Sequence, residues 1–248
     1  MRMTPPLPPL VDETLFSWSA RLADFHAAMS CQDWLKMMEI SQHSVINHDP
    51  ACVTRLATLT GFSTSRVMAC GLQRLGDRSY RHGDETFSPF FALRTQTTYC
   101  PACLLEDRDP TGPSAGQRVG RLSWVFNPVR TCPRHGTLLQ RRPQAGYREK
   151  FQDMNLVAPD DQRLEALAHH AEGRSVSELQ RYVQMRFDNG CGSAWVDRQR
   201  IDQTAKACEM LGAVLEFGAH ADFDKLTLAQ WVVSRKWWKF SGDVLRAV

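Results

Sequence analysis

The chain has 248 residues and a mass of 28.2 kDa, and 43% of its residues are hydrophobic while 23% are charged. This composition is ordinary for a globular protein and excludes collagen-like, mostly disordered and membrane-spanning classes. The net charge is only +3, but residues 61–150 carry 14 basic and 7 acidic side chains. Of those 14 basic residues, 13 are arginines, whose planar guanidinium matches phosphate geometry. This excess of positive charge indicates a nucleic acid or an acidic partner.

The sequence near the N-terminus predicts a series of short helices. After the proline-rich residues 4–11, Asp12 is expected to cap a helix, and a second helix is expected over residues 31–40. A third helix is predicted to begin at Asp49-Pro50, because proline suits the first helical turn. One apolar stripe at helical spacing defines the first of these helices: Leu15, Trp18, Leu22 and Phe25.

Residues 56–67 have the pattern of a helix-turn-helix unit. Gly61 is expected to end the first helix, since glycine tolerates the left-handed conformation, and Ser63 is expected to cap the second helix. In that unit the second helix reaches Arg74 and presents polar side chains outward for DNA contact. These are Thr64, Ser65, Arg66 and Gln73, with Met68 on the same outward side and Arg74 on the same helix. A plain pair of packed helices is the alternative interpretation.

The rest of the chain is expected to be irregular in the middle and helical again after residue 146. Residues 76–98 read as short extended pieces, 106–120 as a loop, and 122–126 as a strand that contains Trp124. Four further helices are predicted after residue 146. The first begins at Asp160 or Asp161, and the second begins at a capping box over 175–178 in which Ser175 is the N-cap. The other two begin at Ile201 and at Leu228. The predicted fold class is mainly α, with a helix-turn-helix bundle (1–90), a zinc-ribbon-like module (91–145) and a helical region (146–248).

The sharpest motif is a pair of closely spaced metal ligands. Cys100 and Cys103 form C-x2-C, and 28 residues later Cys132 and His135 form C-x2-H. Two-residue spacing lets a tight knuckle point both side chains at one ion while its backbone amides donate to the sulfurs. Such a set favours one structural Zn²⁺, because four protein ligands leave no open position for catalysis. This motif and the absence of secretory context indicate a reducing compartment.

Catalytic motifs are not apparent in the sequence. There is no P-loop, no G-x-S-x-G, and no H-E-x-x-H, and a deaminase would place a glutamate beside its histidine ligand where Gly136 and Thr137 stand. Trp237-Trp238, flanked by lysines, can stack on bases or anchor a partner, or can form the amphipathic end of a core helix. The opening residues lack the apolar run of a secretory signal, and no segment is long enough to span a membrane.

The order of several motifs resembles the TniQ family, which includes target-selector proteins of DNA transposons. The residues that carry the resemblance are Leu7 to Trp18 with Arg21-Leu22-Ala23, Leu56 to Gly61, Tyr99 to Leu104, Trp124, and Cys132 to Leu139. The similarity covers residues 7 to about 140. Residues 141–248 match only loosely. Many members of that family continue well past this length, so a short form or a truncation is expected.

The resemblance implies a non-enzymatic adaptor in a prokaryotic cytoplasm, associated with the nucleoid when it acts. Its implied partners are an AAA+ transposition ATPase, the transposase complex, and either target DNA or a CRISPR effector with guide RNA; a homodimer is also implied. The sequence leaves open whether the target is read by protein or by guide RNA. A stand-alone zinc-containing helix-turn-helix transcription regulator is the competing hypothesis.

The arginine excess gives candidate phosphate contacts in addition to the polar face of the second helix. Arg66 and Arg74 on that helix are expected to face nucleic acid, together with three arginines around the metal ligands: Arg121, Arg130 and Arg134.

Overall fold

The computed structural model describes residues 2–76, 78–146, 149, 153–189, 192 and 194–217. Within these ranges the fold is mainly α, as predicted, with short strands between residues 73 and 143. The helices are α1 Leu15–Ala27, α2 Cys31–Met37, α3 Gln42–Ile46, α4 Pro50–Thr60, α5 Thr64–Met68, α6 Pro101–Glu106, α7 Met154–Val157, α8 Asp161–His169, α9 Glu178–Asn189 and α10 Ile201–Phe217. The strands are β1 Gln73–Leu75, β2 Ser79–His82, β3 Glu85–Phe87, β4 Gln96–Tyr99 and β5 Gln140–Pro143.

Helices α1 to α5 surround the first of two hydrophobic cores. Trp18 and Trp34 are fully buried in it, as the helical spacing predicts. Phe25 is an exception to the predicted stripe, because its side chain is 45% exposed. It lies in the last turn of α1, beyond the buried residues of that helix, which end at Ala23.

The cap of α1 differs from the prediction. Thr14, rather than Asp12, is the N-cap, and its side chain accepts a hydrogen bond from the backbone amide of Ser17. Asp12 has a φ of +62° and accepts hydrogen bonds from the backbone amide and the hydroxyl of Ser123 instead. A carboxylate two residues before the N-cap therefore joins the N-terminal segment to the middle of the chain.

The second helix of the predicted helix-turn-helix is a single turn. Gly61 ends α4 at a φ of +79° and Ser63 caps α5, both as predicted, but α5 ends at Met68. Gln73 and Arg74 lie on β1, so their placement on a recognition helix is wrong. The cause is strand pairing, since Gln73 pairs with Arg81 and Arg74 with Tyr80 in an antiparallel ladder.

The middle of the chain holds two small antiparallel sheets. One has the order β1-β2-β3, and the other pairs β4 with β5 across 40 residues of sequence, with Gln96 opposite Pro143. The strand predicted over 122–126 is wrong, because residues Ser123–Val125 form a 3₁₀ turn. Trp124, Val125 and Phe126 are buried in succession, whereas a strand with one exposed face would alternate.

The second core joins the middle of the chain to the helices that follow. Phe87, Phe91, Phe126 and Phe187 cluster there, and the rings of Phe126 and Phe187 stack at 4.3 Å. This core also contains buried side chains from α8, α9 and α10. The division into 1–90, 91–145 and 146–248 stays a prediction.

Three expectations for the last third can be compared with the structure, and two fall outside it. The helix predicted at Ile201 is confirmed, since α10 begins at that residue. Asp160 caps α8 as predicted. Ser177, rather than Ser175, caps α9, because its hydroxyl accepts from the amide of Gln180. The helix predicted from Leu228 and the Trp237-Trp238 pair lie outside the described residues. No helix in the described ranges combines the length and apolar character that a membrane crossing requires.

Candidate metal centre

Two separate turns bring the four predicted ligands together. Cys100 follows β4 and is the N-cap of α6, and Cys103 lies in the first turn of that helix. Cys132 and His135 lie in a tight turn in which the amide of Gly136 donates to the carbonyl of Cys132 at 2.9 Å. Gly136 has a φ of +58°, which glycine adopts without the steric cost of a side chain.

The ligand atoms converge on one point. The His135 Nδ1 atom lies 3.3 Å from the Sγ of Cys103 and 3.5 Å from those of Cys100 and Cys132. The Sγ atoms of Cys103 and Cys132 are 3.6 Å apart, and all four donor atoms lie within 4.8 Å of one another. The cluster can therefore bind one metal ion, and no second group of three or more such donors occurs in the described ranges.

Hydrogen bonds make the three thiols of this cluster unequal in acidity. The backbone amide of His135 donates to Cys132, and that of Cys103 donates to Cys100, as the knuckle spacing predicts. Hydrogen bonds from the Cys100 and Cys103 thiols lower the pKa of Cys132 well below that of a free thiol. Contacts with the other two sulfurs and burial raise the pKa of Cys103, and the pKa of Cys100 is raised as well. Metal ligation requires deprotonated sulfur, so binding of an ion would release the protons of Cys100 and Cys103.

Glu106 holds the imidazole in place from the outer side. Its Oε1 atom lies 2.8 Å from Nε2 of His135, and its Oε2 atom lies 2.6 Å from the guanidinium of Arg134. Burial disfavours the charged imidazole, but hydrogen bonds to Glu106 and Cys132 outweigh that cost and raise the pKa of His135. Because Nε2 faces the carboxylate, Nδ1 is left as the metal-binding atom. A carboxylate in this position fixes the ring orientation and increases ligand basicity.

We expect the Glu106→Gln variant to hold its metal about 10–100-fold more weakly, since loss of such a carboxylate removes the orienting partner of His135. The measurement is competition with a chromophoric chelator at fixed pH. Glu178→Gln is the matched control, because Glu178 is also a partly exposed helical carboxylate paired with an arginine. Equal metal affinity in the Glu106 and Glu178 variants would contradict this role.

The predicted nucleic-acid residues near α5 are exposed. Thr64, Ser65 and Arg66 lie at the surface of that helix. The Arg66 guanidinium lies over the ring of Phe62 at 5.0 Å and donates to the carbonyl of Pro9. Arg74 is exposed on β1, and its side chain makes no hydrogen bond or ion pair within the described residues.

The three arginines near the metal ligands differ in accessibility. Arg121 forms a two-point ion pair with Asp107 at 2.8 and 3.1 Å and lies over Trp124. Arg130 is only 7% exposed and donates to Asn127. Arg134 has a side chain that is 58% exposed. Only Arg134 among them is placed to reach a ligand from solvent without first breaking buried contacts.

Glu106 and a set of arginines on the β1–β2 hairpin are not among the residues predicted from the sequence. Glu106 follows Cys103 by three residues, and once a helix is placed over 101–106 that spacing puts both side chains on one face. Arg78 and Arg81 are exposed on the hairpin that replaces the predicted recognition helix. The close spacing of Arg74, Arg78 and Arg81 in the sequence was the available signal.

A comparison with known families supports the similarity seen in the motifs. The family model TniQ matches residues 5–139, which is more than half of the chain and includes all four candidate metal ligands. No curated protein and no solved structure matches the chain.

Proposed function

The chain belongs to the TniQ family, and we propose that it is a non-enzymatic targeting adaptor of DNA transposition. In this role it links a target site, as DNA or as a CRISPR effector with guide RNA, to an AAA+ ATPase that recruits the transposase complex. The family match carries this proposal, because the matched residues 5–139 include the N-terminal bundle and the metal cluster.

The proposed metal is one structural Zn²⁺ ion bound by Cys100, Cys103, Cys132 and His135. Zn–S and Zn–N bonds of about 2.3 and 2.0–2.1 Å give tetrahedral edges of about 3.8 Å between sulfurs and about 3.5 Å between sulfur and nitrogen. The observed separations of 3.6 Å and of 3.3–3.5 Å agree with those edges. Three thiolates and an imidazole complete a tetrahedral shell, which supports a structural ion over a catalytic one.

The proposed nucleic-acid surface combines α5 with the β1–β2 hairpin and the outer side of the metal centre. It comprises Thr64, Ser65, Arg66, Gln73, Arg74 and Arg134, and it leaves out Arg121 and Arg130 because their guanidinium groups are engaged inside the protein. The side-chain oxygen of Gln73, within this surface, accepts a hydrogen bond from Arg81. The concentration of positive charge between residues 61 and 150 supports this assignment.

A salt titration of duplex DNA binding tests that surface. We expect the Arg66→Ala/Arg74→Ala variant to bind more weakly, and the slope of log affinity against log salt to fall by about 0.9 for each phosphate contact removed. Arg181→Ala is the matched control, because Arg181 is an exposed arginine on α9, away from this surface. An unchanged slope in the double variant would exclude α5 and β1 from the interface.

Co-purification from the native host tests the adaptor role. The tagged chain should retain an AAA+ ATPase together with target DNA or an RNA-containing effector, identified by mass spectrometry and sequencing. Ribonuclease and deoxyribonuclease treatment before elution should distinguish the guide-RNA route from direct DNA reading. Recovery of promoter DNA with no ATPase would instead favour a stand-alone transcription regulator.

A further inference from the structure

The turn that carries two of the candidate metal ligands closes a short hairpin over residues 130–139. One arm bonds to the other through the carbonyl of Arg130 and the amide of Cys132, and each of these hydrogen bonds measures 2.8 Å. Thr131 lies between them in an antiparallel bridge, so its own N–H and C=O point away from the hairpin. Because Thr131 is only 2% exposed, these two groups need partners inside the protein.

The side chain of Gln180 supplies both partners. Its Oε1 atom accepts from the amide of Thr131 at 3.0 Å and from that of Arg130 at 3.1 Å, and its Nε2 atom donates to the carbonyl of Thr131 at 2.7 Å. A side-chain amide therefore bonds to Thr131 as the backbone of a neighbouring strand would. Gln180 is 1% exposed, and all three hydrogen bonds are buried.

The position of Gln180 is itself fixed by α9. The hydroxyl of Ser177, which caps this helix, accepts from the amide of Gln180 at 3.1 Å. Leu179 and Val183, on the same helix, are fully buried in the second core. The backbone that carries the Gln180 side chain is thus held by both a cap and core packing.

The residues just before α9 hold the second arm of the hairpin. Gly173 forms an antiparallel bridge with Thr137, and the amide of Arg174 donates to the carbonyl of Gly136. Both arms of the metal-bearing hairpin are therefore bonded to residues between 173 and 180. This stretch lies beyond residue 139, where the match to the family model ends.

We propose that Gln180 is a positioning residue of the metal centre, because it fixes the backbone of Thr131 and with it the neighbouring ligand Cys132. The other two cysteine ligands belong to α6 and its N-cap, so the two ligand pairs meet around one ion only while the hairpin keeps its place. Metal affinity then depends on a helix outside the family-matched residues. This inference rests on the Zn²⁺ site proposed above and deepens it.

Chelator competition for Zn²⁺ with the full chain tests this role. Gln180→Met keeps an unbranched side chain of similar length but leaves two amides and one carbonyl buried without partners. We expect its Zn²⁺ affinity to fall about 10–100-fold, the range found for groups that support metal ligands. Gln180→Glu should also bind Zn²⁺ more weakly, since an ionised carboxylate cannot donate to the Thr131 carbonyl, and it tests the same contact should Gln180→Met fail to fold. Gln184→Met is the matched control, because Gln184 is a partly exposed glutamine one turn further along α9.

The visible spectrum of the Co²⁺-loaded chain separates positioning from general stability. The d–d bands of Co²⁺ report the geometry of its site, and they weaken when water joins a tetrahedral shell. We expect these bands to weaken in the Gln180 variants and to match wild type in Gln184→Met, at equal helix content by circular dichroism. Unchanged bands and Zn²⁺ affinity in the Gln180 variants would overturn the proposal, as would an equal loss in the control. A wild-type chain that binds no metal would instead overturn the Zn²⁺ site itself.

Discussion

The Cys103→Ser variant is expected to lose its metal and to unfold around the cluster. The Sγ atom of Cys103 contacts both Cys132 and His135, so the substitution removes one of the four ligands from the buried side of the site. Structural zinc contributes roughly 10–16 kcal/mol in zinc-finger peptides, which is comparable with the roughly 5–15 kcal/mol total stability of a typical domain. Cys100, Cys103 and Cys132 belong to the second core, so the loss should spread into the helices packed on it.

Elemental analysis and limited proteolysis measure this result. Wild type should contain one zinc per chain and resist protease, whereas Cys103→Ser should be depleted of zinc and cleaved between residues 91 and 145. Cys208→Ser is the matched control, because Cys208 is a buried thiol of the same core that lies outside the cluster. Well-folded wild-type protein without any metal would exclude a structural ion.

The metal ligands could be predicted from the sequence because the two ligands of each pair are only three positions apart in it. Two ligands separated by two residues can meet at one ion in almost any fold, and the structure brings both pairs together. The orienting partner of His135 was harder to predict, since Glu106 belongs to the other half of the site, 29 residues away. Its contact depends on how α6 packs against the turn that carries Cys132.

The main error in the fold came from extending a helical pattern beyond its end. Val67 and Cys70 are buried as a helix predicts, but the chain turns after Met68 and enters β1. Pairing with β2 determines this change, and strand pairing depends on residues that a local pattern does not contain. The 3₁₀ turn at Trp124 has a different cause. Trp124, Val125 and Phe126 are buried in succession, without the alternation of a strand that has one exposed face.

A buried ion pair near the start of α1 is the second feature with a large expected effect. The Arg21 guanidinium lies 2.7 Å from the Glu13 carboxylate, and their side chains are 2% and 0% exposed. The carboxylate also accepts from the Ser17 hydroxyl and the Leu10 amide. The Ser17 hydroxyl in turn accepts from the amide of Gly120, so this network joins the N-terminal segment to the middle of the chain.

We expect the Arg21→Met variant to lose about 3–5 kcal/mol of unfolding free energy, because it leaves a carboxylate buried without its countercharge. The Glu13→Gln/Arg21→Met variant should recover most of that loss, since removing both charges of a buried pair is often close to neutral. Urea unfolding of wild type and of each variant gives these free energies. A double variant no more stable than Arg21→Met would contradict an electrostatic origin.

The loss in Arg21→Met should also depend on pH. Burial already raises the pKa of Glu13, and Arg21 opposes that shift, so the pKa of Glu13 rises further once Arg21 is gone. A carboxyl group whose pKa is raised in the folded state binds its proton more tightly there than in the unfolded chain, so stability falls as pH rises from the unfolded pKa towards the folded pKa. The deficit relative to wild type should therefore be larger at pH 8 than at pH 5. The double variant, which lacks the carboxyl group, should show no such increase in its deficit from pH 5 to pH 8. An equally large deficit of Arg21→Met at both values would exclude an uncompensated Glu13 charge as its cause.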